Sequence, residues 1–142
     1  RFLEMMPFAE QTEIQKTLYL TRRQVQLVLE KRFGALEPVG EGLDGEARVF
    51  RIPGAAGTVG FISPESEPFC AQCNRLRVTA DGYLRLCLLK PVEVDVMRPM
   101  RAGADDAKLW SLLEEGIRQK PWGHDLPQGQ FPTKRGMSQI GG

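Results

Sequence analysis

The sequence lacks the features that would place it in a specialised class of protein. No apolar run approaches the roughly 18–20 residues of a membrane span, and no internal repeat or low-complexity block occurs in its 142 residues. Its net charge of +1, from 19 Lys and Arg against 18 Asp and Glu, gives no argument for a nucleic-acid or membrane partner. Any cationic function must therefore be local.

Histidine and cysteine are also scarce, with one and three residues. An odd number of cysteines without a secretory signal is typical of a reducing compartment, where free thiols indicate metal binding or catalysis more often than disulfides. We therefore expect a cytoplasmic protein. The content of 42% hydrophobic and 26% charged residues predicts a globular chain. Because the first residue is Arg1, we expect the chain to begin within a longer protein.

Helical spacing of apolar residues predicts two helices, at residues 21–33 and at about residues 105–118. Thr21 suits the N-cap of the first helix, and Gly34 suits the position that ends it. Pro121 follows the second helix as a stop. The apolar stripe of the first helix comprises Val25, Val28, Leu29 and Phe33.

Strands are predicted on either side of the first helix. Residues 1–8 are mostly apolar and predict the buried end of a strand, while residues 47–53 and 58–64 predict two short strands joined by the turn sequence GAAG. The last segment, residues 121–142, has no hydrophobic period. We expect it to be extended and, where ordered, held by other parts of the protein.

All three cysteines lie in one short segment, with the spacing Cys70-x2-Cys73-x13-Cys87. A Cys-x2-Cys pair places two thiolates on one tight loop, within reach of a single metal or cluster. The alternating residues between the pair and the third cysteine predict a β-hairpin that turns at the sequence ADG, residues 80–82. The third thiol must therefore return to the pair through the hairpin.

The length of the hairpin loop decides which way Cys87 points. A two-residue loop would turn Cys87 away from Cys73, because a slip of one residue moves every side chain of a strand to the other face. A three-residue loop, closed by Gly82 in the left-handed region, places Cys87 opposite Arg75 and diagonal to Cys73, roughly 7–8 Å away at the Cα atoms. We therefore predict the three-residue loop.

Three thiolates leave one metal position open to an exogenous nitrogen or oxygen donor. Arg75 and Arg77 alternate on the same strand, and their guanidinium groups suit a phosphate or a purine edge. The pattern thus indicates a site for an anionic, nitrogen-bearing ligand. Three other interpretations remain open at this point. They are a zinc site completed by His124, a redox pair of the first two cysteines, and a solvated strand face carrying the arginines.

The segment GFISPESEPFCAQCNRLRVTADGYLRLCL resembles the C-terminal cluster motif of the GTP 3′,8-cyclase family of molybdenum cofactor biosynthesis, which are radical S-adenosylmethionine enzymes. The initial RFLEMMPF resembles a late barrel strand of that family, and the terminal RGMSQIGG resembles its closing segment. The resemblance spans the whole chain, more loosely over residues 9–57 and 91–134.

The resemblance implies an α/β to α+β fold made of two parts. Residues 1–57 would be the end of an incomplete (β/α) TIM-like barrel, and residues 58–142 an auxiliary iron–sulfur and GTP-binding region with a Gly-Gly tail. It also implies one [4Fe–4S] cluster in this chain and GTP as the ligand. By position, Cys70, Cys73 and Cys87 would bind the cluster, Arg75 and Arg77 would contact GTP, and Gly141 and Gly142 would enter the active site.

The family's second cluster cleaves S-adenosylmethionine and requires a Cys-x3-Cys-x2-Cys motif, which this sequence does not contain. The resemblance therefore implies a lyase activity, the conversion of GTP to (8S)-3′,8-cyclo-7,8-dihydroguanosine 5′-triphosphate, that belongs to a longer parent protein. We expect no catalytic residue in this chain and no activity of the chain alone. A non-enzymatic, zinc-stabilised interaction module is the alternative. We also expect a homodimer or edge-to-edge association through residues 1–8, because unpaired strand edges recruit other chains.

Overall fold

The structure is a computed structural model that describes residues 1–7, 17–40, 46–128, 130 and 135–140. The chain forms two compact units, which divide between Phe69 and Cys70. The described part of unit 1 comprises residues 1–6, 17–40 and 46–69, and that of unit 2 comprises residues 7, 70–128, 130 and 135–140.

Unit 1 contains a sheet of four short strands within its described residues, in the order β1-β4-β3-β2. The strands are β1 (Phe2–Leu3), β2 (Glu37–Pro38), β3 (Arg48–Arg51) and β4 (Thr58–Ile62). β1 runs parallel to β4, and the other neighbouring pairs are antiparallel. The predicted turn between β3 and β4 includes Gly54 at φ 76°. Because β3 and β4 pair directly, the compact unit continues past residue 57.

The first predicted helix is confirmed as α1 (Arg22–Phe33). The Thr21 side chain accepts a hydrogen bond from the amide of Gln24, and the Gln24 side chain accepts one from the amide of Thr21 at 2.8 Å. This reciprocal pair satisfies two amides that a helix start leaves open. Gly34 ends the helix at φ 89°, a conformation that glycine adopts without a steric cost.

The core of unit 1 is formed by Leu36, Phe50 and Phe61. Val25 and Leu29, one turn apart on α1, pack against it. The predicted stripe was too wide, since Val28 and Phe33 are 69% and 50% exposed. Short strands offer a narrow surface, and a helix covers it with a single line of side chains.

β1 exists where a strand was predicted, but its expected burial was wrong. Phe2 and Leu3 are 42% and 59% exposed, whereas the following Glu4 is buried. The Glu4 carboxylate accepts hydrogen bonds from the amide of Arg22 at 2.7 Å and from the amide of Ser66 at 3.0 Å. The first of these amides opens α1, and a helix start favours a negative charge. The buried Glu4, directly after β1, thus joins the strand to the start of α1 and to Ser66.

Unit 2 contains a sheet of three antiparallel strands within its described residues, in the order β5-β6-β7. The strands are β5 (Arg77–Val78), β6 (Tyr83–Arg85) and β7 (Glu93–Asp95). Two helices follow, α2 (Met97–Arg101) and α3 (Asp106–Gln119), and the second confirms the prediction. Asp105 is the N-cap of α3 and accepts a hydrogen bond from the amide of Lys108 at 2.9 Å. The predicted stop at Pro121 follows directly.

The described part of the C-terminal segment is partly helical, where extended backbone was predicted. It contains short 3-10 helices at Leu126–Gln128 and Met137–Gln139, and Ile140 is fully buried. Overall, the chain has the mixed α/β character that was predicted. Its relation to a barrel stays a prediction. No helix among the described residues has the length and apolarity needed to cross a membrane.

Candidate functional site

The β5–β6 hairpin has the predicted three-residue loop. Arg77 pairs with Arg85, and the amide of Thr79 donates to the carbonyl of Tyr83 at 2.9 Å. Gly82 closes the loop at φ 80°, as predicted. Continuing this register beyond the strands places Cys87 opposite residue 75, on the arm that carries both predicted GTP-contacting arginines.

The two faces of this sheet differ in character. Residues opposite each other in a register share a face, so Arg77, Arg85 and Glu93 form one row across the three strands. The other face carries Leu84 and Val94, which also stand opposite each other. One face of the sheet is therefore polar. Cys87 lies two residues beyond Arg85, so alternation along the chain would place its side chain on the same face.

The apolar face packs against α3 through Gly116. A Cβ placed on this buried glycine would lie 3.0 Å from Leu84, 3.4 Å from Val94 and 3.5 Å from Leu86. A side chain at this position would force the ends of the Leu84 and Val94 side chains to shift, because the packed atoms leave little room. This close approach fixes the end of α3 beside the base of the hairpin.

The Cys-x2-Cys pair lies on a short turn. The 3-10 helix Cys70–Gln72 is closed by a hydrogen bond from the amide of Cys73 to the carbonyl of Cys70 at 3.1 Å. All three cysteines, Cys87 included, have free thiols and are partly buried. Within the described ranges, no three His, Cys, Asp or Glu side chains are arranged as a group that could hold a metal ion.

The residues after α3 contact the cysteine segment. The Lys120 ammonium donates hydrogen bonds to the carbonyl oxygens of Arg75 at 3.0 Å and of Leu86 at 2.8 Å. A Cβ placed on Gly123 would lie 3.7 Å from the Cβ and 3.8 Å from the Sγ of Cys70. The sequence offered no signal for these contacts, since 45 and 34 residues separate the bonded partners of Lys120.

Two further charged residues of the polar face were not identified from the sequence. Arg85 is 2% exposed and donates to Glu93 at 2.7 Å and to the carbonyl of Leu88 at 3.1 Å. Alternation along β6 could have placed Arg85 on this face, but its burial opposite Arg77 could not have been foreseen. Two like charges opposite each other destabilise a sheet unless acids compensate them, and Glu93 does so here.

Arg135, from the C-terminal segment, lies on the same face. It donates to both carboxylate oxygens of Asp81, at 3.2 and 2.9 Å, and forms an ion pair with Glu93 at 2.9 Å. Its guanidinium carbon lies 5.5 Å from the centre of the Tyr83 ring. Hydrogen bonds from Arg135, and then from Thr79, hold the pKa of Asp81 below its ordinary value. The described end of the chain is thus attached to the hairpin by its charges.

A cavity of about 410 Å³ opens beside these residues. Its lining comprises Asp81, Tyr83, Arg85, Pro91, Glu93, Arg135 and Gln139. The size suits a small-molecule ligand, and the lining offers charged groups of both signs.

Two other predicted positions have different outcomes. Gly141 and Gly142 lie outside the described residues, so their place near an active site stays a prediction. His124 is partly buried, and its Nδ1 accepts a hydrogen bond from the amide of Leu126 at 3.4 Å. It follows directly on Gly123, on which an added Cβ would lie 3.7 Å from the Cβ of Cys70.

Comparison with known proteins found consistent relatives. A family model described as Molybdenum Cofactor Synthesis C matches residues 1–126. A GTP 3′,8-cyclase from Gloeobacter violaceus is 42% identical over 149 aligned residues, and proteins of the same name from Pelotomaculum thermopropionicum and Moorella thermoacetica are 40% and 39% identical. Each alignment covers the whole chain but only 43% to 45% of the relative. The chain thus spans less than half the length of these relatives.

Proposed function

The chain belongs to the Molybdenum Cofactor Synthesis C family, and from this membership we propose that it is the C-terminal part of a GTP 3′,8-cyclase that carries the auxiliary cluster and part of the GTP site. The observation that supports the proposal is the hairpin register, which, continued beyond the paired residues Arg77 and Arg85, would place Cys87 opposite Arg75. The relatives supply the reaction, since they are named for the cyclisation of GTP.

The donor set suits an iron–sulfur cluster. Cys70 and Cys73 lie on one turn, Cys87 returns through the hairpin, and all three thiols are free and partly buried. Thiolates are the ligands that such clusters use, and each binds a different iron. A [4Fe–4S] cluster held by three thiolates supplies one iron with an open position for a nitrogen or oxygen of the substrate.

The two arginines would bind and orient the nucleotide. They lie two residues apart on the arm opposite the one that carries Cys87, and the alternation of an extended chain places both on one face. Guanidinium groups form charge-assisted, bidentate hydrogen bonds with phosphate or a purine edge. Arg75 and Arg77 would thereby fix GTP against the cluster. Residues 1–57 would be the end of the barrel and residues 58–142 the GTP-binding region, although β4 (Thr58–Ile62) pairs within the sheet of unit 1.

The rest of the reaction belongs to a longer protein. The sequence has no Cys-x3-Cys-x2-Cys motif, so S-adenosylmethionine and the second cluster would bind outside this chain. We expect the chain alone to be inactive as a lyase. The Gly141-Gly142 end would reach the active site, where residues without side chains leave room for the substrate.

Anaerobic reconstitution with iron and sulfide tests this proposal. We expect the chain to bind about four iron and four sulfide ions, as one [4Fe–4S] cluster requires, and GTP to change the visible or electron paramagnetic resonance spectrum of the cluster. Cys87→Ala should lose the cluster and leave the circular dichroism of the fold unchanged. Full iron content in this variant would remove Cys87 from the ligand set.

The same samples distinguish the alternative function. Stoichiometric zinc without sulfide in the purified protein, together with failure to incorporate iron, would support a zinc-stabilised interaction module. An iron–sulfur cluster whose spectrum GTP does not change would retain the cofactor and refute the nucleotide site.

A further inference from the structure

Lys120 bridges the two arms of the β5–β6 hairpin. Its ammonium donates to the carbonyl oxygen of Arg75 on one arm, at 3.0 Å, and to that of Leu86 on the other, at 2.8 Å. An ammonium group has three donors and no acceptor, so one lysine can bind two carbonyls at the same time. The two arms are therefore cross-linked by a single cation.

The bridge lies where the regular strand pairing has stopped. The register of β5 and β6 covers residues 77–78 and 84–85, and β5 begins two residues after Arg75. Leu86 directly precedes Cys87, and Arg75 follows Cys73 by two residues. Lys120 thus connects the arms at the level where the third thiol must meet the first two.

The position of Lys120 is itself fixed. It follows α3, whose Gly116 is pressed against the apolar face of the same sheet, and its amide donates to the carbonyl of Ile117 at 3.1 Å. Three residues later, Gly123 lies beside Cys70, since a Cβ placed on this glycine would be 3.7 Å from the Cβ of Cys70. Residues 120–123 therefore run from Lys120, which binds both hairpin arms, to a position beside the turn that carries the Cys-x2-Cys pair.

We propose that Lys120 is a positioning residue for the cluster ligands. It fixes the spacing of the two arms at the open end of the hairpin, so that Cys87 would be held within reach of Cys73 when a cluster is assembled. The inference rests on the proposed function, in which these cysteines bind the cluster. It goes beyond that function because it assigns the preorganisation of the thiols to a residue outside the cysteine motif.

The substitutions Lys120→Met and Lys120→Arg test this role, with Lys108→Met as the matched control. Methionine keeps the unbranched apolar stem and removes the donors, whereas arginine keeps the charge and the donors. Lys108 is exposed on α3, the helix that Lys120 follows. A merely structural role of Lys120 would lower the melting temperature without changing how the thiols meet.

The first readout needs no cluster. In the reduced, metal-free chain with Cys70→Ser, dibromobimane becomes fluorescent as it cross-links Cys73 to Cys87. We expect Lys120→Met to slow this reaction roughly tenfold, because the effective concentration of one thiol near the other falls when the arms separate. Lys120→Arg should retain most of the rate, and Lys108→Met all of it.

The second readout is iron and sulfide content after anaerobic reconstitution, with all three cysteines present. Lys120→Met should incorporate less cluster and lose it faster in air than the parent chain. Cross-linking and cluster retention at the parent level in this variant would overturn the inference while leaving the proposed function intact. Should the methionine variant not fold, Lys120→Gln, which keeps one neutral donor group, is judged by the same two measurements.

The two proposals fail in different ways. A parent chain that takes up no iron and sulfide, but whose cross-linking still depends on Lys120, would refute the cluster and support the positioning of the thiols. A parent chain that binds the cluster regardless of Lys120 would do the reverse.

Discussion

At the scale of single residues, the polar face of the unit 2 sheet combines like charges that a sheet normally separates. Arg77 stands opposite Arg85, which is buried and paired with Glu93. Residues that break a local rule concentrate at functional sites. The placement of two arginines opposite each other therefore agrees with the proposed role of Arg77 in binding GTP.

The first prediction concerns this arginine. Arg77→Ala, in the longer protein with its cluster assembled, should weaken GTP binding by about 1.5–3 kcal/mol, because a charge-assisted hydrogen bond is lost. Isothermal titration with GTP measures the change. Arg118→Ala is the control, since that arginine is 63% exposed on α3. Equal affinity of the Arg77 variant and the control would return Arg77 to the solvated strand face.

The second prediction concerns Glu67 in unit 1. Burial alone would raise the pKa of Glu67, but the hydrogen bonds and charges of Arg22 and Arg48 hold it below its ordinary value of 4.5. Arg22 donates to both oxygens of Glu67, at 2.5 and 2.6 Å. A carboxyl whose folded pKa is depressed adds stability above its unfolded pKa, and the contribution disappears as the pH falls through the folded pKa.

Glu67→Gln should accordingly be less stable than the parent chain at pH 7, by about 1 kcal/mol or less because the group is partly exposed. The difference should stay constant down to about pH 5 and shrink below pH 4.5. Thermal unfolding followed by circular dichroism at several pH values measures it. A difference that grows as the pH falls would contradict the assigned ion pairs.

At the scale of elements, the hairpin was predictable because its information is local. One loop length was selected by three features together: the glycine at residue 82, the alternation on both sides of the loop, and the need to align the cysteines. The structure has this loop length. The contacts of Lys120 and Arg135 join residues 34 to 54 positions apart, with no periodic signal in the sequence. These contacts depend on how distant parts of the chain pack and on the attraction between their charges, which a local sequence pattern does not encode.

The third prediction separates two costs at the hairpin loop. Gly82 has φ 80°, and a Cβ there would lie 2.5 Å from the Cβ of Met97, whereas Gly103 has φ 83° with nothing within 4 Å. In Gly103→Ala the free energy of unfolding should fall by about 1 kcal/mol, because only the strain of the left-handed backbone is added. In Gly82→Ala the free energy of unfolding should fall by about 2–3 kcal/mol, because overpacking against Met97 adds to that strain. Urea unfolding compares the two, and equal losses would remove the steric part.

At the scale of the whole molecule, apolar composition predicted that β1 exists but not that it is exposed. A run of apolar residues does not reveal which side of a strand its neighbours cover, and β1 lies at the end of the sheet within the described residues. Its exposed Phe2 and Leu3 agree with the expectation of self-association through this edge. That expectation stays a prediction.

The fourth prediction tests it. The parent chain should have a mass above that of a monomer by light scattering, and Leu3→Lys should shift it towards the monomer, because an edge lysine opposes strand pairing. Val28→Lys, at an exposed apolar position of α1, controls for a general effect of added charge. A parent chain that is already monomeric would contradict the association.

The hairpin register has a consequence for how distant homologues of this protein can be identified from their sequences. In the proposed site, the number of residues on each arm would decide whether the sulfurs meet, and a longer loop between Thr79 and Tyr83 would leave that pairing unchanged. Insertions at positions 80–82 would leave both arms in phase, while one extra residue within 74–79 or 83–86 would rotate a sulfur to the wrong side. Sequence searches that demand thirteen intervening residues would therefore overlook distant homologues whose tip has simply grown.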